Sequence, residues 1–426
     1  MNDFIEQLAV ILVMVFAVVG LGFIRLSLRQ KSSVERLKEV EDRARPRFQD
    51  DLHHAKASYR SWDGEKPITS HGTNSGIGNT TGHGATPRAP RLEPIHRVDA
   101  RFSELDFLEF AVALYTWAHT LRPKRDFLSL SAFLSDIALD TFLSGMADLD
   151  SVQDIRVGGV RTLRVYADEH WASVEIEFKA VMVERVKDDF VRIFRTESWR
   201  FRRRSDVKSP SRDVLMSLGC PHCGSTAPVG ETKECLDCGA QRAGAEHHWQ
   251  VAAIGSMRRN PQPSPPVGLP LGPPGFAVPN APDIAVKRME WSDRYPDEPL
   301  SALQPLAEEL LRQVTDRRGL LLPGMMGRRL RYEHELLSNA GVVRHVTVGP
   351  VEHRGEIDIT RDATHEFVDL RMAAPVRVWV QDGKTVPPQE PPTCICEMTL
   401  ARQLEGEERP WQVVDLRWVE MPKDEV

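Results

Sequence analysis

The sequence predicts an α+β protein made of two helix-and-sheet units, a zinc ribbon between them and an N-terminal transmembrane helix. Two strongly apolar helical segments precede long stretches in which apolar and polar residues alternate, as in half-buried antiparallel strands. The same order of patterns recurs after residue 284, and four cysteines in two close pairs lie between the two units. Helices followed by an antiparallel sheet that curves around them are typical of the α+β class.

Length and charge restrict the domain organisation and the classes of partner. A chain of 426 residues exceeds the usual size of one domain, so we expect two or three compact units. Its 55 Lys+Arg and 61 Asp+Glu give a net charge of −6. Phosphate binding normally requires a basic surface, and neither half of the chain is strongly basic. We therefore expect no nucleic-acid partner, and a nucleic-acid-associated zinc-ribbon protein is the least favoured alternative.

Residues 4–25 predict a single transmembrane helix. Leu8 to Ile24 carry no charge and reach the minimum of about 17 residues that spans a bilayer. Asp3 and Glu6 precede this run, whereas a cleaved secretory signal would begin with basic residues. Basic residues follow it, namely Arg25, Arg29, Lys31, Arg36 and Lys38. The positive-inside rule then places the bulk of the chain on the cytoplasmic side of the inner membrane, unless the run is a buried core helix or a cleaved signal.

Residues 26–101 predict a spacer rather than a folded unit. Residues 26–47 are dense in charge and favour a solvated stalk. Residues 48–101 are rich in Gly, Ser, His and Pro and poor in apolar residues. Such a segment buries too little apolar surface to offset its chain entropy, so we expect a disordered tether.

The first unit is predicted at residues 102–218. Ser103 can cap a very apolar helix in which Asp106 occupies the third following position, and a second helical stripe runs from Phe127 to Phe142. Three extended stretches between Ile155 and Arg204 then alternate apolar and polar residues. A fourth short strand is predicted from Val214 to Leu218, directly before the cysteines.

A C-x₂-C-x₁₁-C-x₂-C pattern predicts a zinc ribbon with one following strand at residues 219–255. Its cysteines are Cys220, Cys223, Cys235 and Cys238. Each pair places two thiolates at one metal, and Gly224 and Gly239 relieve the tight turn that follows each pair. Four thiolates complete a tetrahedral shell and leave no open position, so we expect the zinc to be structural. An iron centre, redox dithiols or no metal is the alternative.

A second, diverged unit is predicted at residues 284–426, after a Pro-rich linker at residues 256–283. An amphipathic helix is expected at Leu303–Val314, and strands at Val343–Val380, Thr393–Leu400 and Trp411–Trp418. Val157–Val160 matches Val348–Val351, and Val174–Phe178 matches Val368–Met372, which indicates an internal duplication. Cys394 and Cys396 point to one strand face, where we expect them to pack as small apolar residues rather than serve a metal or redox role.

A basic cluster, Arg200, Arg202, Arg203 and Arg204, is a possible contact with a membrane or a partner. An ordinary exposed strand face is the alternative explanation. The sequence contains no recognisable Ser/His/Asp set, Cys nucleophile, phosphate-binding glycine loop or His/carboxylate metal pair. We therefore expect the protein not to be an enzyme.

The chain resembles bacterial relatives of the Tim-forty-four family, whose mitochondrial namesake anchors the protein-import motor to the inner membrane. The resemblance rests on the helical segment LDFLEFAVALYTWAHTLRPKRDFLSLSAFLS and on a Glu-x-Trp-x-Phe-x-Arg pattern in the third strand. Here that pattern is formed by Glu197, Trp199, Phe201 and Arg203. Bacterial members often carry an N-terminal membrane segment or a CP-x-CG ribbon. The similarity covers about residues 103–255 and, more faintly, 300–421.

The resemblance implies two cones of the nuclear-transport-factor-two-like type, in which helices pack into a curved sheet with an apolar pocket at the open end. Residues that could line this pocket, or simply form core, are Phe110, Leu114, Trp117, Phe133, Phe142, Ile176 and Phe178. The implied function is a membrane-anchored, cytoplasm-facing scaffold that binds a lipid, a hydrophobic segment or a protein partner. The chain lacks a recognisable chaperone-recruiting region, so the import-motor role in protein transport is not carried over.

An enzyme that uses the cone-shaped pocket is the second functional hypothesis, because ketosteroid isomerases share this broad fold. Its polar candidates are Tyr115, Tyr166, His119 and Asp136. Convergence of two of them in an apolar cavity, with shifted pKa values, would favour catalysis.

Overall fold

The computed structural model packs helices against antiparallel sheets, which confirms the predicted α+β class. It describes residues 92–124, 126–144, 149–187, 189–220, 222–225, 234–242, 244–245, 248–263, 283–381, 391–406 and 409–420. The predicted transmembrane segment, the stalk, residues 48–91 of the tether and residues 264–282 of the linker lie outside this part of the chain. Within the described residues, no helix combines the length and the apolar character needed to cross a membrane.

Short and long helices open the first unit. They are α1 (Glu93–Val98), α2 (Glu104–Leu121), α3 (Phe127–Ser131) and α4 (Asp136–Leu143), with a 3-10 turn at Arg122–Lys124. Ser103 caps α2, because its Oγ accepts a hydrogen bond from the Asp106 N–H at 3.3 Å. Helix α1 lies inside the segment assigned to the disordered tether, so that prediction is wrong for residues 92–101. Leu92 and Ile95 are buried in the core, and this burial offsets the entropy cost of ordering the segment.

The first sheet is an antiparallel meander in the order β1-β2-β3-β4. Its strands are β1 (Ser151–Ala167), β2 (Trp171–Val186), β3 (Asp189–Arg204) and β4 (Gln250–Asn260). Alternate residues of β2 are buried against the helices, as the sequence pattern predicts. Strand β4 extends to Asn260 and so occupies the beginning of the segment assigned to the linker.

A helix, α5 (Arg212–Met216), occupies the position at which the sequence predicts a short fourth strand, Val214 to Leu218. The apolar run is too short for its periodicity to distinguish the two structures. Tertiary contacts favour the helix, since Leu215 is buried in the core and Arg212 forms an ion pair with Asp106 of α2. The strand prediction is wrong at this position.

The second unit repeats the arrangement of helices followed by an antiparallel sheet. Its helices are α6 (Ile284–Arg294), α7 (Leu303–Thr315) and α8 (Gly324–Asn339), with 3-10 turns at Leu300–Ala302 and Arg317–Leu321. Its strands are β5 (Val343–Val348), β6 (Glu352–Arg361), β7 (His365–Gln381), β8 (Thr393–Gln403) and β9 (Gln412–Glu420). The order is β5-β7-β8-β9, and β6 pairs with β7 beside β5. Strands β5 and β6 together therefore take the place that β1 has in the first sheet.

Matching residues occupy matching places in the two sheets. Val174 pairs with Val165 in the first sheet, and Val368 pairs with Ile359 in the second. Gly158 and Gly159 lie at a register shift in β1, and the corresponding Gly349-Pro350 pair separates β5 from β6. Both sheets thus have an irregularity in the same region of the first strand. Duplication of one ancestral unit stays a prediction.

Helix α8 packs against both sheets. Met326 and Leu330 are buried in the core of the second unit, whereas Tyr332 forms a separate apolar cluster with residues of β2 and β3. Gly158 permits this approach, because a Cβ atom at that position would lie 1.7 Å from the Cβ of Tyr332. One helix therefore joins the two units.

The cysteines of β8 lie in the core of the second unit, as the strand pattern predicts. Cys394 is 4 % exposed and Cys396 is 0 % exposed. Both belong to the apolar cluster that contains Met398 and Trp418. They pack as small apolar side chains, and the Cys394 thiol also donates to the Pro392 carbonyl at 3.8 Å.

Candidate functional site

The four cysteines between the two sheets converge on one point. Their sulfur atoms all lie within 4.8 Å of one another, and no disulfide joins them. The Sγ atoms of Cys220 and Cys238 are 3.7 Å apart, and those of Cys223 and Cys235 are 3.8 Å apart. A tetrahedron of thiolates at about 2.3 Å from zinc has sulfur–sulfur edges of about 3.8 Å. The donor set and its dimensions are therefore compatible with zinc.

Two tight turns of the same design present these thiolates. In the first, the Gly224 N–H donates to the Cys220 carbonyl at 2.8 Å, and in the second the Gly239 N–H donates to the Cys235 carbonyl at 2.8 Å. Gly224 has a φ of 74° and Gly239 has a φ of 70°. This left-handed backbone favours glycine, which explains why a glycine follows each cysteine pair.

A buried arginine links the ribbon to the end of the first unit. Cys220 and Cys235 are buried, whereas Cys223 and Cys238 are exposed. Arg242, which is also buried, donates from Nη2 to the Leu218 carbonyl at 3.2 Å and links the two ends of the ribbon. Four thiolates leave no coordination position for a substrate, so this centre can organise the chain but has no open metal site for chemistry.

A buried charge network lies between α2 and the first sheet, around Glu197 of β3. Glu197 is 0 % exposed. Its carboxylate accepts hydrogen bonds from His119 Nε2 at 3.2 Å, Arg195 Nη1 at 2.7 Å and Trp199 Nε1 at 3.2 Å. Burial alone raises the pKa of Glu197, but the hydrogen bond from His119 and the charge of Arg195 hold that pKa below its ordinary value. Glu197 is therefore ionised in the folded protein at neutral pH.

His119 is neutral, and its partners define its tautomer. Burial is the largest influence on the pKa of His119 and lowers it below its ordinary value. Arg122 donates to Nδ1 at 3.1 Å, so Nδ1 carries no proton and Nε2–H donates to Glu197. The contact between His119 and Glu197 satisfies the distance of an ion pair, but it is a hydrogen bond from a neutral ring.

A second carboxylate, Glu184, completes the network. Its Oε1 accepts from Arg195 Nη2 at 2.8 Å and from Arg122 Nη2 at 3.4 Å, and its Oε2 accepts from Arg259 Nε at 3.0 Å. Glu184 thus has three charged donors, and Glu197 has one charged donor and two neutral ones. Hydrogen bonds and paired cations are the condition under which buried charge is tolerated.

Two of the four polar residues considered for catalysis meet, and they meet inside the packed core. The rings of Tyr115 and His119 lie 4.4 Å apart, and both residues are 0 % exposed. Burial raises the pKa of Tyr115 well above its ordinary value, and its hydroxyl has no hydrogen-bond partner within the described residues. Tyr166 is exposed beside Asp168, and Asp136 is exposed at the start of α4. The pKa values of Tyr115 and His119 are shifted, but both side chains are enclosed by packed core.

The residues expected to line an apolar pocket pack against one another. Phe110, Leu114, Phe133, Phe142, Ile176 and Phe178 are buried in the first core, and Trp117 packs against it. Phe178 stacks on Tyr115 at 4.6 Å, and Phe110 lies 6.2 Å from Phe133. These side chains form core in this structure.

The basic cluster is divided between the two faces of β3. Arg203 is 1 % exposed, so the prediction that it contacts a membrane or a partner is wrong. Arg202 is exposed and lies over the Trp171 ring at 4.4 Å, and exposed Arg204 forms an ion pair with Asp206. Arg200 is half-buried. Alternation along a strand separates neighbouring residues in this way.

Arg203 belongs to a structure that sequence reasoning missed, which we call the first clamp: Asp99, Arg203 and Trp249. Arg203 Nη2 contacts Asp99 Oδ2 at 2.5 Å, and the guanidinium lies over the Trp249 ring at 4.6 Å. Ser209 donates from its N–H and its Oγ to the same Asp99 oxygen, each at 2.8 Å. The clamp joins the segment before α2 to β3 and to the start of β4.

A second clamp, Glu298, Arg402 and Trp411, occupies the equivalent place in the second sheet. Arg402 Nη1 contacts Glu298 Oε2 at 2.7 Å, and its guanidinium lies over Trp411 at 4.6 Å. Glu366 Oε2 also accepts from Arg402 at 3.1 Å. Trp291 gives the same arginine a second ring contact at 5.2 Å.

Strand register shows that the clamps are equivalent. Two residues before each arginine, Phe201 pairs with Val251 and Leu400 pairs with Val413. Each of those valines ends a Trp-Gln-Val tripeptide, which begins at residue 249 in one unit and at residue 411 in the other. This repeated tripeptide is the sequence signal that could have found both clamps.

Comparisons with known proteins leave the family open. No family model matches the chain, and no curated protein matches it. Among solved structures, the chain is similar to an "Ntf2 like protein involved in plasmid conjugation", with 9% sequence identity and a TM-score of 0.17. That match covers 73% of this chain and 93% of the other. A TM-score this low carries no argument, and the Tim-forty-four resemblance stays a prediction.

Proposed function

We propose that this protein is a non-catalytic scaffold held at the inner membrane by residues 4–25, with the bulk of the chain in the cytoplasm. Its two units are cones of the nuclear-transport-factor-two-like type, and a structural zinc ion organises the ribbon between them. The scaffold binds a protein partner at the membrane. The uncharged run from Leu8 to Ile24 and the basic residues after it support the anchor.

The observation that carries the proposal is the closed interior of the first unit. His119 and Glu197, which could act as an acid or a base, are 0 % exposed. Their polar atoms form hydrogen bonds with one another and with Arg122 and Arg195. The aromatic residues around them fill the space in which a lipid chain would lie. A filled cone favours recognition through the outer surface, and hence a protein partner rather than an enclosed lipid.

Zinc bound by Cys220, Cys223, Cys235 and Cys238 would act on folding rather than on a substrate. When bound, the ion links two turns separated in sequence. Arg242 and the backbone around Leu218 then hold the closed ribbon against the first unit.

The two other hypotheses have less support. An isomerase-like enzyme would need Tyr115 and His119 to reach a substrate, and both lie in packed core. A nucleic-acid-associated protein would need a basic surface, whereas the chain has a net charge of −6 and Arg203 is buried.

The test compares the full-length chain with a variant that lacks residues 1–25. We expect the full-length protein to stay in the membrane pellet after washes in high salt and in alkaline carbonate, and the shortened protein to enter the supernatant with its zinc retained. Photocrosslinking in intact membranes should then give discrete protein adducts with the full-length chain. Release of the full-length protein by the washes, or turnover of an isomerase substrate lost on His119→Ala, would overturn the proposal.

A further inference from the structure

Strand β9 is an edge of the second sheet. In the order β5-β7-β8-β9, its neighbour is β8. Among the described residues, its backbone makes hydrogen bonds to β8 and to no other element. Helix α8 reaches β9 through a side chain, with Arg329 Nη1 3.8 Å from Asp415 Oδ1. The N–H and C=O groups on the free side of β9 can therefore pair with a further strand.

The other sheet edges carry features that hinder the addition of a strand. Strand β1 has three register shifts, β6 has two, and β5 is only six residues long. The start of β4 is already bonded, since the Val251 N–H donates to the Phe133 carbonyl at 2.8 Å, and its end carries the exposed Arg258 and Arg259. Strand β9 has one register shift, before Asp415, and pairs regularly from there to its end. It contains no Gly, Pro or Lys, so it is the edge best suited to accept a strand.

The sequence of β9 is self-complementary about Leu416. When two copies pair antiparallel with Leu416 opposite itself, Asp415 of each copy faces Arg417 of the other. Unlike charges directly opposite one another stabilise an antiparallel pair, and like charges destabilise it. A shift of two residues places Asp415 opposite Asp415 in one direction and Arg417 opposite Arg417 in the other. Charge therefore selects one register for the pairing of β9 with itself.

The two charged side chains of β9 are accessible to a second copy. The side chain of Asp415 is 34% exposed and that of Arg417 is 28% exposed. Within one chain they pair with each other, with Arg417 Nη2 2.8 Å from Asp415 Oδ2. A partly exposed pair of this kind contributes little to stability. Exchanging it for the equivalent pair between two copies therefore costs little, and strand pairing adds backbone hydrogen bonds.

We propose that two copies of this chain associate by antiparallel pairing of their β9 strands, about a two-fold axis at Leu416. The interface is isologous, because each copy contributes the same residues. It joins the two second sheets into one continuous sheet and covers both free edges. This dimer is additional to the proposed scaffold role and does not depend on the membrane anchor.

The experiment measures self-association of the full-length chain in detergent by analytical ultracentrifugation, at about 1 to 100 µM, because one strand pair is a small interface. We expect a dimer that forms with rising concentration. Asp415→Arg and Arg417→Asp each place like charges opposite one another at two positions of the dimer. Each should weaken self-association at least about tenfold.

Combining the two substitutions restores complementary charges. An equimolar mixture of the Asp415→Arg and Arg417→Asp chains should form mixed dimers, because Arg then faces Asp at both positions. The double variant Asp415→Arg/Arg417→Asp should dimerise as the unaltered chain does. Recovery in the mixture also shows that neither substitution acts by unfolding the chain.

Glu352→Arg is the matched control, since Glu352 also pairs with an arginine two residues later, Arg354, in an edge strand. It should leave the dimer intact. The proposal is overturned if the unaltered chain stays monomeric throughout that range, which would leave the edge to a strand of another protein. It is also overturned if either single variant self-associates as the unaltered chain does, or if the mixture fails to associate. Retention in washed membranes should be the same for every variant, which separates failure of the dimer from failure of the scaffold role.

Discussion

The two sheets share a buried arginine stacked on a tryptophan, but they differ in the residues beside it. Ile176 pairs with Trp199 in the first sheet, and Leu370 pairs with Met398 in the second, which aligns β3 with β8. Glu197, Trp199, Phe201 and Arg203 thereby correspond to Cys396, Met398, Leu400 and Arg402. The clamp is present in both units, whereas the position of the buried carboxylate holds a thiol in the second.

The clamp arginines and the Glu197 carboxylate differ in the number of partners that each requires when buried. Arg203 contacts one acid and one ring, Asp99 and Trp249. Arg402 contacts two acids, Glu298 and Glu366, and the rings of Trp291, Tyr295 and Trp411. Glu197 needs His119, Arg195 and Trp199 together, so loss of any one leaves buried charge poorly balanced. A thiol such as Cys396 has no such requirement. The network is therefore easier to lose during divergence than the clamp.

The ribbon is the other difference. Between β3 and β4 the first unit contains α5 and the four cysteines, whereas the turn between β8 and β9 runs directly from residue 403 to residue 412. Zinc should therefore act on the first unit and leave the second unchanged.

Replacing Cys223 by Ser should have the largest effect. Zinc content is expected to fall from about one ion per chain to none, because three thiolates hold the metal far more weakly. Atomic absorption measures the metal, and hydrogen exchange measures protection of β3 and β4. Cys394→Ala is the control and should keep its zinc. Loss of zinc with unchanged protection in β4 would contradict a role of the ribbon in the first unit.

Removing the carboxylate of the network should destabilise the protein more than removing its counterpart. Glu197→Ala is expected to lower the free energy of unfolding by about 4 kcal/mol, because it leaves Arg195 and Arg122 near a buried void. Cys396→Ala should cost about 1 kcal/mol, the value for losing a small apolar group. Urea denaturation measures both. Equal costs would show that the network contributes no more than packing.

The clamps can be compared with one substitution in each unit. Arg203→Met should cost about 3 kcal/mol, because Asp99 is then left buried without its cation. Arg402→Met should cost less, about 2 kcal/mol, since Glu298 is 53% exposed and Arg294 still pairs with Glu366. Urea midpoints of the two variants test this order. A larger cost at Arg402 would indicate that its ring contacts outweigh the charge.

Acid should weaken the first unit through a buried histidine, with an effect similar to that of Arg402→Met. Burial lowers the pKa of His248 from 6.5 to about 4, so the unfolded chain binds a proton below pH 6.5 that the folded chain binds only near pH 4. Stability is therefore lost as pH falls through that window, by about 2 kcal/mol between pH 7 and pH 5. His248→Gln should flatten this dependence in urea titrations, and His334→Gln, at an exposed position, should not.

Local sequence determined the features that depend on near neighbours. The cysteine spacing alone predicted the four thiolates that converge, because each pair and its glycine form a turn within a few residues. Ser103 likewise predicted the start of α2. Alternation along β2 and β8 predicted which face is buried, including the thiols of Cys394 and Cys396.

Tertiary structure decided what depends on residues far apart in the chain. His119 and Glu197 are 78 positions apart, and no local pattern shows that the histidine is neutral or that the carboxylate is ionised. Composition predicts a disordered tether at residues 48–101, yet Leu92 and Ile95 are buried in a core formed by residues elsewhere in the sequence. The sequence places Arg203 in a basic run that predicts an exposed surface. In the structure, its side chain contacts Asp99 and Trp249. Burial and pairing are properties of the assembled sheet, so composition and spacing could not supply them.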